Sequence, residues 1–297
     1  MFSFPKIQGV ICPMTTPFKT DGQIDYQAVR QLVDFLVTHG VDWLMPAGTT
    51  GEGLLLSLDE RKALAECVVQ QSAGRAPVIV HTGCLTTADT IELTRHAQAA
   101  GAMAASVITP YYYTFDDESL FNHFLSVARA IPDFPISMYS FPGNAKNSIS
   151  LSLFQRLRSA ADNLVAIKLT DVDLLRFQEY IEAGGAEFSP LSGVDGLALA
   201  ALSVGSVGQV SGNANAFPEL FRALFDAFAA GNMEEARRQQ RMINCIRSIL
   251  KDAPVYFKAA LILRGIVGGR MRPPMRELTS DERFAMESGL RQLGLFK

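Results

Sequence analysis

One lysine stands in an otherwise apolar run, Leu164-Val165-Ala166-Ile167-Lys168-Leu169-Thr170. Burying an ammonium costs several kcal/mol unless it is paired or gives up its proton, so the residue demands a use. Side chains alternate along a strand, which puts Ala166, Lys168 and Thr170 on one face and Val165, Ile167 and Leu169 on the other. By the same alternation Ser137, Tyr139 and Phe141 share a face of the preceding strand, which directs the Tyr139 hydroxyl toward Lys168. A desolvated lysine is available as the neutral amine, which condenses with a ketone to an iminium, an electron sink for carbon–carbon bond cleavage. A tyrosine in a hydroxyl relay is a suitable acid/base partner. The alternatives are a strand-end lysine that snorkels to water and the Val-Ala-Ile-Lys string of protein kinases. The kinase reading fails, because the sequence has no G-x-G-x-x-G loop, H-R-D or D-F-G to accompany it.

A second candidate is "AGTTGEG" (47–53), a glycine-rich strand-to-helix turn whose backbone N–H groups can cradle an anion. It lacks the lysine and hydroxyl spacing of a Walker A loop. The choice is between a plain turn and a carboxylate site, and Thr49 and Thr50 favour the site. Tyr111-Tyr112-Tyr113 reads as a hydrophobic patch or an interface anchor. The four histidines, His39, His81, His96 and His123, are isolated, with no H-x-H or H-E-x-x-H, so no metal site is expected. His81, at a strand end, reads as a pocket-lining or core residue.

These residues need elements to hold them. Runs at 9–15, 42–48, 77–83, 104–110, 135–141, 164–170, 187–193 and 206–212 read as eight strands, separated by amphipathic helical patterns. Val29, Leu32, Val33 and Leu36 follow the spacing of one helix face, and Ser57 with Glu60 forms a capping-box signature. Eight βα units predict an α/β (β/α)₈ TIM barrel over 1–230, with a doubly wound sheet as the alternative. The polar residues gather at strand C-terminal ends, the face on which barrel enzymes build their sites. Beyond 230 the patterns "MEEARRQQRMINCIRSILK", "PVYFKAALILRGI" and "TSDERFAMESGLRQL" predict a C-terminal helical extension over 231–297, with Thr279 and Glu282 as a further capping box.

Composition narrows the class. With 297 residues and 48% hydrophobic content the chain can bury a large core. A net charge of -3 without basic runs leaves no footprint for nucleic acid or an anionic membrane, so a small-molecule substrate is expected. Cys12, Cys67, Cys84 and Cys245 lack C-x-x-C spacing and read as reduced thiols. The start "MFSFPKIQGV" does not read as a signal peptide and no apolar run reaches 18 residues, so a cytoplasmic protein is expected.

Taken together, "GTTGE" (48–52), "TPYYY" (109–113), "YSFP" (139–142), "IKLT" (167–170), "LSG" (191–193) and "GQVSGNAN" (208–215) resemble the dihydrodipicolinate synthase / N-acetylneuraminate lyase family of class I, Schiff-base pyruvate aldolases, over nearly the whole chain. The resemblance implies that Lys168 forms the Schiff base with no other cofactor and that Tyr139 is the acid/base. It implies that Thr49 and Thr50, with Gly48, hold the pyruvyl carboxylate, that Thr49 also joins the proton relay, and that Tyr112 reaches a neighbouring subunit's site in a homotetramer. Substrate contacts are implied for Thr170, Gly193, Asp195, Val210, Ser211 and Asn144.

Departures from the family patterns select among members. Synthases resemble "YNVPGRT" after the fifth strand, where this chain has "YSFPGNA", so Asn144 replaces an arginine that grips a second carboxylate. Lys146 is a poor substitute, being a point charge and not a bidentate fork. Thr170 resembles the lyase and sugar-acid aldolase pattern, and Gly196 replaces a glutamate that sialate lyases use. The expectation is therefore an enzyme cleaving a 2-keto-3-deoxy sugar acid reversibly to pyruvate and an aldehyde. The alternatives are 4-hydroxy-tetrahydrodipicolinate synthase, condensing pyruvate with aspartate semialdehyde, N-acetylneuraminate lyase, and a pyruvate-binding sensor barrel without catalysis.

Overall fold

The computed structural model describes residues 4–296; Met1–Ser3, at the head of the stretch read for a leader, and Lys297 lie outside the described residues. Eight parallel strands are present: β1 (Gly9–Pro13), β2 (Trp43–Met45), β3 (Ile79–His81), β4 (Ala104–Ile108), β5 (Ile136–Ser140), β6 (Leu164–Leu169), β7 (Ser189–Ser192) and β8 (Gly208–Val210). The order β2-β1-β8-β7-β6-β5-β4-β3 curls the sheet on itself. The Leu44 N–H donates to the Pro77 carbonyl at 3.1 Å and a parallel bridge joins Leu44 to Val78, bringing β2 to β3. The result is a TIM barrel, and the doubly wound alternative is excluded because no open edge remains between first and last strands. Each strand stops one to three residues before its predicted end. Single backbone hydrogen bonds continue past several of these ends, as from the Thr170 N–H to the Ser140 carbonyl at 3.1 Å, before the chain turns away.

The helices follow the apolar periodicity. Val29, Leu32, Val33 and Leu36 are all buried on the helix Tyr26–Thr38. Both capping boxes form, Ser57 with Glu60 before the helix Leu58–Ser72 and Thr279 with Glu282 before Ser280–Gln292. Two further helices, Met233–Leu250 and Pro254–Leu263, complete the C-terminal segment, and 264–279 between the last two is not helical. This segment shares a core with the barrel, where Phe217 packs with Ile246, Phe257 and Leu290.

Alternation along β6 works as expected at its functional end. Ile167 and Leu169 join the layer between sheet and helices, while Ala166 joins the lumenal cluster with Ile11, Ile79 and Leu191. Val165 differs from expectation and packs with the lumenal group. The cause is a register slip: Ile136 pairs with Leu164 and Ser137 with Ala166, leaving Val165 unpaired on a bulge.

Candidate active site

Lys168 and Tyr139 are register partners on neighbouring strands, and both side chains are buried. The Lys168 Nζ lies 3.9 Å from the centroid of the Tyr139 ring. The contact is thus with the π face, where the alternation argument anticipated the hydroxyl. Phe141 stacks on Tyr139 at 6.2 Å between centroids, fixing the ring's tilt. Lys168 can reach its position because residue 193 has no side chain: a Cβ there would lie 2.4 Å from Thr170 Oγ1 and 2.9 Å from Lys168 Cε. Both residues open onto a cavity of about 680 Å³ at the C-terminal end of the barrel. Lys168 is the one lysine among its described lining residues.

The turn 48–53 forms one wall. It folds tightly because Ala47 and Glu52 take left-handed conformations and Gly53 approaches the Ala47 carbonyl so closely that a Cβ would sit 1.9 Å from that oxygen. The N–H groups of Gly51, Glu52 and Gly53 are used within the turn, whereas those of Thr49 and Thr50 have no internal acceptor among the described hydrogen bonds. Gly48, Thr49 and Thr50 all line the cavity. Two free N–H groups and two hydroxyls on one turn suit a carboxylate. Glu52 anchors the turn from behind. It is fully buried, accepts from Lys258 Nζ at 2.5 Å and from the Arg272 N–H at 2.9 Å, and so ties the turn to the C-terminal segment. Burial lowers the Lys258 pKa, and the Glu52 carboxylate opposes that shift.

The opposite wall carries Asn144, Thr170, Asp195 and Val210. Thr170 Oγ1 is buried without a hydrogen-bond partner. Asp195 is already occupied: it accepts from Gln209 Nε2 at 2.8 Å, Ser211 Oγ at 2.6 Å and Asn213 Nδ2 at 2.7 Å. Burial raises its pKa, and those three donors pull the other way. With three of its roughly four acceptor positions taken, Asp195 is a brace for the loop after β7 more than a ligand for substrate. Ser211, expected at the substrate, stands behind the cavity wall. It is fully buried, its hydroxyl donates to Asp195 and accepts from the Ala214 N–H, and it does not line the cavity.

Two residues lie away from the cavity of their own chain. Tyr112 is 69% exposed, at φ +74°, and does not line it. Lys146, weighed as a replacement for the missing arginine, points at the Tyr112 ring with Nζ 5.9 Å from the centroid and is not among the lining residues. Sequence reasoning missed a cation that does line the cavity, Arg247, which pairs with Asp252 at 2.7 Å. Both stand where the C-terminal helices overhang the barrel mouth, and no local motif marks them. Among the described residues no cluster of His, Cys, Asp and Glu could hold a metal ion.

The model of the dihydrodipicolinate synthetase family matches residues 6–293. The chain belongs to this family. It is 37% identical over 276 residues to a protein of Thermus thermophilus named 4-hydroxy-tetrahydrodipicolinate synthase, covering 92% of each chain. Its structure resembles that of YagE, an Escherichia coli K12 prophage protein of the same family in complex with pyruvate, at TM-score 0.93 and 29% identity, over 97% of this chain and 99% of that one. It also resembles a sialic acid aldolase of Ruminococcus gnavus, solved as a catalytic lysine mutant, at TM-score 0.94 and 27% identity, over 99% and 98% of the two chains. The chain is therefore an enzyme of the dihydrodipicolinate synthase group of lyases. Members use a pyruvate-derived Schiff base on a catalytic lysine and no external cofactor. Among the described residues no helix is long and apolar enough to cross a membrane.

Proposed function

We propose that the enzyme joins and cleaves pyruvate and a neutral, hydroxylated aldehyde, acting as a reversible aldolase on a 2-keto-3-deoxy sugar acid. Lys168 attacks C2 of the 2-keto acid and loses water to give the iminium. Tyr139 takes the proton from the C4 hydroxyl as the C3–C4 bond breaks, and the electron pair flows into the iminium to leave an enamine and the aldehyde. Proton return to C3 and hydrolysis release pyruvate and the free amine. Thr49 and Thr50 hold the carboxylate throughout, so the scissile bond stays aligned with the iminium. Tyr112, exposed and outside the lining of its own cavity, suits a role across a subunit boundary in a homotetramer of cytoplasmic barrels, and 231–297 serves as an extension that roofs the site.

The observation that carries the choice of aldehyde is the far wall, where the buried Thr170 hydroxyl lacks a partner and Asn144 replaces the arginine of the synthase pattern. A hydroxyl without a partner is complemented by a substrate hydroxyl, and a site built that way discriminates against analogues lacking it. The second reading is 4-hydroxy-tetrahydrodipicolinate synthase, condensing pyruvate with aspartate semialdehyde. The names of the relatives favour it more than the first reading, and Arg247 gives it a cation at the cavity mouth, although one already paired with Asp252. Measuring kcat/KM for pyruvate with glyceraldehyde and with aspartate semialdehyde side by side decides between them. On the first reading glyceraldehyde is favoured roughly a hundredfold, the scale of one charge-assisted contact of about 3 kcal/mol. A preference for aspartate semialdehyde establishes the synthase.

A further inference from the structure

His81 ends β3 with its side chain in the cavity wall. Its Nδ1 lies 3.2 Å from Nη2 of Arg61, a residue of the helix Leu58–Ser72 that is itself buried. A guanidinium has only donors and does not deprotonate in proteins, so Nδ1 accepts and the ring proton sits on Nε2. The same guanidinium donates to the carbonyls of His81 and Gly83 and to the Cys84 sulfur, which hold it in place. None of these acceptors is a carboxylate, so a buried positive charge stands behind the imidazole. The ring is kept neutral, its pKa well below the ordinary value, chiefly by burial and then by the charges of Arg61 and Lys168.

The Nε2–H produced in this way is buried and has no acceptor. Ser106, its register partner on β4, does not supply one, and the Ser106 hydroxyl is itself without a partner. Tyr139 meets the imidazole edge to face, with centroids 6.1 Å apart, and on the other side a Cβ on Gly48 would lie 3.9 Å from the His81 Cβ. The His81 side chain therefore stands between the carboxylate turn and Tyr139 and lines the cavity, which is the remaining source of an acceptor. We propose that His81 donates Nε2–H to the carboxylate of the bound 2-keto acid, and that Arg61 is the positioning residue that fixes this tautomer. The pyruvyl carboxylate is then held from two sides, by the backbone of Thr49 and Thr50 and by a neutral donor with a buried cation behind it.

The inference rests on the Schiff-base reading, and one set of experiments separates the two. In protein labelled with ¹⁵N-histidine, with His81→Gln used to assign the signal, the His81 ring is expected to show the Nε2–H tautomer alone, and adding pyruvate is expected to move that signal. Arg61→Gln is expected to mix the tautomers. His81→Met is expected to raise KM for pyruvate by about 10- to 100-fold, the range for a hydrogen bond to a charged group, with kcat changed much less. His81→Gln, which keeps an N–H near the same point, is expected to recover most of that loss. An Nδ1–H tautomer, a signal indifferent to pyruvate, or equal KM values for the Met and Gln variants overturns the proposal. Trapping wild-type enzyme with pyruvate and borohydride tests the underlying reading: absence of a Lys168 adduct overturns both, whereas trapping with an unmoved KM in His81→Met overturns the His81 role alone.

Discussion

The two walls of the cavity are built from different material. The turn 48–53 presents backbone N–H groups, is locked by glycines where a Cβ would collide, and is anchored by the buried Glu52–Lys258 pair. The far wall presents side chains from the ends of β5, β6 and β7: an unpartnered Thr170 hydroxyl, an open Asn144 and an Asp195 that already accepts three hydrogen bonds from its neighbours. A backbone cradle is hard to alter by substitution, while a side-chain wall changes with one codon. The contrast explains how relatives named as synthases and as a sialic acid aldolase can share this fold. On the proposed function, the half that takes pyruvate is built from main chain and the half that faces the aldehyde from side chains.

Four single substitutions, one of them also combined with a compensating second change, test that contrast. The largest effect is expected at the element both walls serve. Lys168→Ala should abolish the borohydride adduct and lower turnover by on the order of 10⁴-fold or more, as removal of a covalent nucleophile does; an adduct surviving on Lys146 or Lys258 by peptide mass would relocate the chemistry. Next is the anchor of the backbone wall. Glu52→Gln strands Lys258 as a buried charge and should cost about 3–5 kcal/mol in urea unfolding. Pairing it with Lys258→Met should return most of that, and a single variant as stable as the parent would show that the turn stands without its anchor.

Tyr139→Phe keeps the ring against Lys168 and removes only the hydroxyl. Adduct formation should persist while turnover falls on the order of 10²-fold or more, because proton transfer alone has lost its group. Unchanged turnover would reduce Tyr139 to a wall for the lysine. The smallest effect belongs to the side-chain wall. Thr170→Val preserves shape, so stability measured by thermal unfolding should hold or rise slightly, since a buried hydroxyl without a partner is removed. The kcat/KM for glyceraldehyde should nevertheless drop about tenfold. If both quantities stay constant, the far wall does not read hydroxyls.

Much of this is legible in the amino-acid sequence. Period-2 alternation separates Lys168 from Ile167 and Leu169 and Tyr139 from Met138, and the Ser57–Glu60 and Thr279–Glu282 boxes mark helix starts from four residues each. Val165 shows the limit of that logic, because a one-residue bulge reverses the face of the residue it releases. Ser211 and Asp195 show another: as residue types both are good ligands for sugar hydroxyls, yet in the folded chain they spend that capacity on each other.

The sequence by itself determined the βα rhythm, the strand faces, the family and the identity of the reactive lysine, since all of these depend on neighbours a few residues apart or on motifs read in order. Tertiary structure decided the partners. Glu52 meets Lys258 across 206 positions, Arg61 settles which nitrogen of His81 carries the proton, and Arg247 with Asp252 comes to overhang the barrel mouth from the C-terminal helices. Hydrogen bonds and ion pairs act over about 3 Å. Which groups come within that distance is fixed only when the barrel closes and the last helices pack across its mouth.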